Sequence, residues 1–185
     1  MTNIKFLTTE ELEAGLDDIY LSPKDDGRID MIVCRPDDDK REILPDAMLD
    51  LMEGLVGDNW KARGSKKTSD GSAHPEMQLN IMNSRVIALL AQEQDRWQLA
   101  GDQLFIDMDL SEKNLPAGTR LALGTAVIEI TAKPHTGCNK FAARYGQDAA
   151  KFVNSPLGKE LHLRGVNAKV IQSGTIQVGD AVKKI

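Results

Sequence analysis

The chain has 185 residues, with 23 Lys+Arg against 28 Asp+Glu for a net charge of −5, and 41% of its residues are hydrophobic. That is the length of one ordinary domain with enough apolar material for a core, which excludes global disorder. The acidic balance and the lack of a basic tail exclude nucleic acid as the main partner, because duplex binding draws its affinity from clustered Lys and Arg.

The segment from Met1 to Leu16 is polar and acidic, without the basic start and apolar run of an export signal, so a cytoplasmic location is expected. The longest apolar run, Val86-Ile87-Ala88-Leu89-Leu90-Ala91, is far shorter than the ~20 residues that span a bilayer, and no membrane partner is expected. The two cysteines, Cys34 and Cys138, are too few for a disulfide framework and lack a zinc-binding spacing.

In chain order, Thr8 and Glu11 form a capping box ahead of Leu12, Leu16 and Ile19, which predicts a helix over about 9–20. Arg28 to Cys34 alternates and is β-branched, the pattern of a strand, and Pro36 with Asp37-Asp38-Asp39 stops it. Pro45 followed by Met48, Leu49, Leu51, Met52 and Leu55 predicts a helix ending at Gly57. From Gly57 to Pro75 the composition shifts to Gly, Ser, Lys, Asp and Asn, as expected of a long binding loop or a disordered one. Leu79 to Met82 reads as a strand, and Ser84 caps a helix that ends by Gly101. Short strands follow around Leu104–Leu110, Leu121–Leu123 and Ala126–Thr131, and the pattern resumes from Val166 to Val182. A helical insert over 139–154, weak at Gly146, interrupts them. Strands at this even spacing argue for a barrel or a sandwich.

Chemistry concentrates in Lys133-Pro134-His135-Thr136-Gly137-Cys138-Asn139-Lys140-Phe141, where a strand runs through a Pro/Gly turn into a helix. A thiol at such a junction faces unpaired backbone N–H groups and the positive helix end, which favour thiolate. His135, Lys140 and Arg144 add nearby positive or proton-accepting groups, and Gly137 lets a ligand approach the backbone closely. The competing reading of Cys138 is a small buried hydrophobe. His74 and His162 have no metal-site spacing and read as structural, while Asp102 and Asp180, each after Gly, read as turn residues.

The same segment resembles the MOSC domains, named for the C-terminal domain of molybdenum cofactor sulfurase. The resemblance also runs through Glu53-Gly54-Leu55-Val56-Gly57-Asp58, Ala100-Gly101-Asp102 to Ser111, Asn114-Leu115-Pro116-Ala117-Gly118, Leu163-Arg164-Gly165-Val166 and Ser173-Gly174 to Asp180. It implies a closed β-barrel similar to the barrel domain of pyruvate kinase. It also implies a cysteine, here Cys138, that transfers sulfur or ligates molybdenum in the molybdenum-pterin cofactor, a soft thiolate being suited to that metal. His135, Gly137, Lys140 and Arg164 are then expected as orienting or anion-binding neighbours. Lys61 and Arg63, with Lys66 and Lys67, form either a cationic lip for the cofactor's phosphate or a solvated loop. Arg164 has the alternative of pairing with a barrel carboxylate such as Asp107 or Asp109.

The expected architecture is α+β and mainly β, with residues 1–49 as a helix and strand extension packed on a barrel of residues 50–185. The expected function is to bind the molybdenum-pterin cofactor, either handling its sulfur or reducing an N-hydroxylated or N-oxide substrate at the metal. No pyridoxal phosphate site is visible, and sulfur or electrons would come from an external donor protein. The alternatives are a non-catalytic carrier or binding module for a small anion or cofactor, and a metal-free thiol redox protein.

Overall fold

The computed structural model describes residues 5–185; the first four residues of the polar N-terminal segment lie outside them. Among the described residues eleven strands are formed: β1 (Gly27–Cys34), β2 (Glu42–Leu44), β3 (Asp46–Asp50), β4 (Gly54–Leu55), β5 (Leu79–Asn83), β6 (Leu104–Asp107), β7 (Arg120–Leu123), β8 (Ala126–Ile130), β9 (Val166–Gln172), β10 (Gly174–Gln177) and β11 (Ala181–Lys184). The helices are α1 (Thr9–Ala14), α2 (Leu16–Tyr20), α3 (Trp60–Arg63), α4 (Ser84–Ala91), α5 (Asn139–Tyr145), α6 (Gln147–Asn154) and α7 (Pro156–Glu160).

Seven of the strands close into a mixed barrel in the order β1, β11, β7, β8, β9, β5, β6 and back to β1. Neighbours are antiparallel except β5 and β6, whose parallel pairing requires a crossover; α4 and a 3₁₀ turn at Gln94–Ala100 supply it. β1, from the segment read as an N-terminal extension, is one of the staves and pairs with β6 and β11. β2 lies on the outer edge of β1, and β3, β4 and β10 form a separate three-stranded sheet.

The alternation in β8 turns Ala126, Ile128 and Ile130 inward, where they meet Ile29, Leu104, Ile106, Leu121 and Val182. A second core lies outside the barrel, where Met31, Val33, Met82 and Phe105 pack beneath Leu12, Val86, Ile87, Phe141, Tyr145 and Phe152 of the helices. β1, β5 and β6 are thus covered on both faces, which is why successive residues are buried along Met31–Cys34, Leu79–Asn83 and Leu104–Ile106 instead of alternating with exposed ones.

Several sequence expectations are corrected. The helix expected after Pro45 is the β3–β4 hairpin. Asp50 Oδ1 accepts from the amides of Met52 and Glu53 to close its turn, and β10 hydrogen-bonds to β3 along Gly174–Gln177. Apolar residues crowded at 48–55 satisfy either period, and the available strand edge decides. The 9–20 helix breaks at Gly15, where a Cβ would lie 2.5 Å from the Leu89 side chain, so two short helices bend around α4. The capping box at Thr8 and Glu11 is formed as expected. Asn83, rather than Ser84, caps α4. The insert divides at Gly146 as expected, and a third helix, α7, follows it. The stretch from Gly57 to Pro75 is not structureless: α3 buries Trp60, and a 3₁₀ turn at Pro75–Met77 ends it.

The two-residue turn of the β7–β8 hairpin packs on β10. Gly124 there has φ +54°, and a Cβ on it would lie 2.1 Å from the Thr175 carbonyl oxygen. Were the site tolerant, Gly124→Ala would stabilise by about 0.4–1 kcal/mol through the unfolded chain. The clash predicts the opposite sign, a loss of about 2 kcal/mol or more in urea unfolding.

Candidate functional site

At one end of the barrel, five segments converge: the end of β1, the turn into α3, the Gly101-Asp102 segment before β6, the 133–144 segment, and Arg164 before β9. The first support is Arg35, whose side chain is 5% exposed against a fully buried Asp58. Its Nε and Nη2 donate to the two Asp58 carboxylate oxygens, each at 2.8 Å, and its Nη1 donates to Asn80 Oδ1 at 2.9 Å and to the Gly101 carbonyl at 2.8 Å. Such a two-pronged pairing fits the planar guanidinium fork and fixes its orientation. The network continues inward: Asn80 Nδ2 donates to Asn167 Oδ1 at 2.7 Å, and Asn167 Nδ2 donates to the Lys133 carbonyl at 2.9 Å.

That last bond holds one end of the His135-Thr136-Gly137-Cys138 turn. Asn154 at the end of α6 holds the other, accepting from the Gly137 amide at 3.0 Å and donating to the Gly137 carbonyl at 3.1 Å. A Cβ at Gly137 would lie 3.1 Å from both Asn154 Nδ2 and Val153 Cγ2, so glycine permits the close approach. Beneath the turn, Asp102 is wholly buried and bridges two partners, Arg164 Nη1 at 2.7 Å and His135 Nε2 at 2.9 Å. Arg164 also donates to the Ala100 carbonyl at 3.0 Å, and its guanidinium carbon lies 4.8 Å from the centre of the Phe141 ring.

Above this floor lies a cavity of about 240 Å³ whose walls include Arg35, Arg41, Arg63, Lys140 and Arg144 as well as His135 and Cys138. Asp37, Asp38 and Asp39, from the β1–β2 connection, line it too. Arg35 is neutralised by Asp58, but Arg41 and Arg63 make no ion pair among the described residues. Burial and then the neighbouring Arg144 and Arg35 push the Arg41 pKa down, and burial with Arg35 does the same to Arg63. Guanidinium groups stay protonated regardless, so the cavity concentrates positive charge. Two buried polar atoms of its lining residues, Arg41 Nε and Asn59 Oδ1, have no hydrogen-bond partner. A larger cavity of about 560 Å³ lies across the 130–137 segment, with walls that include Leu115, Ile130, Val153 and Val166, and His135 borders both.

Of the residues singled out in the sequence, His135, Cys138, Lys140 and Arg63 come together on the cationic cavity, with Arg144 beside them. Gly137 supports the turn from behind, and Arg164 lies under it on Asp102. Neither Asp107 nor Asp109 takes Arg164: Asp107 pairs with Arg85, and Asp109 accepts from the Ser111 amide. Lys61 pairs with Glu53 and lies outside the cavity lining. Cys138 is exposed at the N-cap of α5, whereas Cys34 is buried in the barrel core, where burial and Asp58 raise its thiol pKa. His74 caps the 3₁₀ turn through its Nδ1, and His162 Nδ1 meets the Leu110 carbonyl.

Sequence reasoning missed Arg35, Arg41 and Asp58, and read Asp102 as a turn residue. A charged residue directly after an apolar strand, as Arg35 is after Val33-Cys34, was the available signal, because a side chain carried there is drawn into the barrel rim.

The profile of the MOSC domain matches residues 68–183. The chain belongs to the MOSC domain family. The match begins after β1, so a stave of this barrel is supplied from outside the matched region. No curated protein matches the chain. Among solved structures, it is similar in fold to the YuaD protein from Bacillus subtilis, with 15% identity, TM-score 0.58, and coverage of 84% of this chain and 93% of that one. YiiM from Escherichia coli shares 19% identity with TM-score 0.55 over 85% and 69% of the two chains. YiiM from Geobacillus stearothermophilus shares 14% with TM-score 0.57 over 86% and 75%. No helix among the described residues is long and apolar enough to cross a membrane.

The buried triad carries a pH dependence whose sign is determined. Burial acts to raise the Asp102 pKa, but Arg164 and His135 overcome it and hold the carboxyl at about 2. Burial and then Arg164 lower the His135 pKa against the pull of Asp102, so the neutral ring donates Nε2–H to the carboxylate. Both groups bind protons more weakly folded than unfolded, so acid destabilises the fold. The His135 contribution is complete above about pH 6.5 and declines below it, and that of Asp102 declines from about pH 4 downward. His135→Asn is expected to flatten unfolding free energy just below about pH 6.5, while Arg164 keeps the Asp102 slope below about pH 4. Urea titrations at stepped pH read both limbs; an unchanged upper limb would assign that slope to another group.

Proposed function

We propose that this MOSC protein is a carrier or binding module for a small phosphate-bearing cofactor of the molybdenum-pterin class, held at the cationic cavity. The observation that carries the reading is the gathering of Arg41, Arg63, Lys140 and Arg144 around one small cavity with an exposed thiol on its wall. The size agrees: about 240 Å³ is below the ~300–1,000 Å³ usual for whole organic ligands, so the cavity suits a phosphate-sized end rather than an entire cofactor. The donor set also fits, since guanidinium forks match phosphate oxygens and the orphaned Arg41 Nε would gain an acceptor.

In this reading Arg41, Arg63 and Arg144 would hold the phosphate, with Lys140 adding charge, and Cys138 would offer a soft sulfur ligand to the metal end. The bound group would supply a redox-active metal centre. The chain's own contribution is to orient: Asn167 and Asn154 fix the turn that carries Cys138, and Asp102 fixes the His135 ring by accepting the hydrogen bond that its Nε2–H donates. A second reading, in which Cys138 carries sulfur for the cofactor, is favoured by the exposure of that thiol. Reduction of an N-hydroxylated substrate would further require an external electron donor.

Metal and pterin analysis of protein purified from a cofactor-producing host separates these roles. The Arg41→Ala/Arg144→Ala double variant is expected to retain less than about a tenth of the wild-type pterin, because two charge-assisted contacts are lost. Cys138→Ser is expected to keep the pterin and lose molybdenum or persulfide, and to unfold within about 2 °C of wild type because the replaced atom is exposed. Pterin retained equally by all three proteins would remove the cavity from the cofactor site.

A further inference from the structure

We propose that the β1–β2 connection, Pro36 to Lys40, is a built-in competitor for the anion site, with Asp39 occupying the place of the ligand's oxyanion until a ligand displaces it. This rests on the reading of the cavity as an anion site and adds how access to it is controlled. One oxygen, Asp39 Oδ1, lies 3.4 Å from Lys140 Nζ and 3.4 Å from Arg144 Nη2, so the carboxylate sits between two of the cations assigned to the ligand. Asp37 and Asp38 line the same cavity. Asp37 pairs with Lys40 of the same connection at 3.5 Å, which leaves Asp38 and Asp39 as the charge that the connection brings to the cavity. Asp39 is thus the carboxylate of this strap that meets the cavity's cations, taking Lys140 and Arg144 together.

The connection is shaped for this position. Arg35, on its near side, is fixed by Asp58, and β2 pairs with β1 on its far side, so its two ends cannot drift. Between them Asp37 Oδ1 accepts from the Asp38 amide at 2.8 Å and the Lys40 amide donates to the Asp37 carbonyl at 3.2 Å, making a tight turn. The turn places Asp39 at φ +58°, a left-handed conformation that non-glycine residues adopt with strain.

The hold is loose compared with the ion pairs of the floor. Asp102 meets Arg164 at 2.7 Å with both side chains buried, whereas Asp39 and Lys140 are 66% and 71% exposed and their contact is 0.7 Å longer. Exposed pairs of this kind are weak and screened by solvent, so an anion with more charge and more oxygens outcompetes a single carboxylate. The buried pair under the site stays in place while the exposed one exchanges, which separates the scaffold from the gate.

Inorganic pyrophosphate is the probe, titrated calorimetrically into the full chain. Asp39→Asn keeps the side-chain shape and tolerates the left-handed backbone while removing the charge. It is expected to bind pyrophosphate about three- to tenfold tighter than wild type, the scale of two lost exposed ion pairs. Asp17→Asn, on α2, makes the same change in net charge elsewhere and is expected to leave affinity unchanged. Limited trypsin digestion reads the strap directly: saturating pyrophosphate is expected to raise wild-type cleavage after Lys40 severalfold, and Asp39→Asn to be cleaved at that raised rate without it. Equal or weaker affinity in Asp39→Asn, an equal gain in Asp17→Asn, or cleavage indifferent to pyrophosphate would overturn the competitor role while leaving the anion site standing. Failure of every protein to bind pyrophosphate would overturn the anion site and the strap with it.

Discussion

Arg35 and Asp58 form an ion pair almost entirely removed from water, and the functional end of the barrel is assembled around it. Desolvating both charges is costly, and the pair persists because every prong of the guanidinium has an acceptor: both Asp58 oxygens, Asn80 and the Gly101 carbonyl. Those acceptors belong to different parts of the chain. The pair therefore ties the end of β1 to the turn before α3, to β5 and to the approach to β6, and it determines where the β1–β2 connection and Arg63 lie relative to the barrel.

A second polar device repeats the principle one layer away. Asp102 sits in a wholly buried position and keeps its charge through Arg164 and His135, and Arg164 in turn packs its guanidinium face on Phe141 of α5. A ring and a helix carrying cavity residues are thus both referred to one carboxylate. Gly165, next to Arg164, has φ +110°, and a Cβ there would lie 2.2 Å from the Ile81 carbonyl oxygen and 3.3 Å from His135 Cδ2. Bulk at that position would push the imidazole off its partner. The apolar cores do the complementary work: the barrel interior sets the strands, and the outer core under α4, α5 and α6 presses the Cys138 turn against the barrel rim.

The contrast between buried and exposed charge organises the site. Partners that lie under the cavity make short ion pairs shielded from water, so they act as geometry. Cations on its walls are incompletely paired and remain available to an anion, and Cys138 stands among them with its thiol exposed. The same residue types, Arg and Asp, serve both purposes, and only their depth distinguishes scaffold from binding surface.

Local patterns were legible without coordinates wherever short-range chemistry dominates. The capping box at Thr8 and Glu11, the break at Gly146, the alternation of β8 and the strand-to-helix junction at Cys138 each depend on residues within a few positions of one another. The several motifs occurring in one order pointed to the MOSC barrel. Tertiary structure decided what depends on partners far along the chain. The 45–55 segment is a hairpin because β10, more than a hundred residues later, offers it an edge. Asp102 is a buried charge rather than a turn residue because Arg164 arrives beside it, and Arg35 is a structural anchor because Asp58 and Asn80 fold onto it. Periodicity and capping are properties of a chain segment, whereas burial of a charge is a property of its neighbours, and only the closed barrel brings those neighbours together.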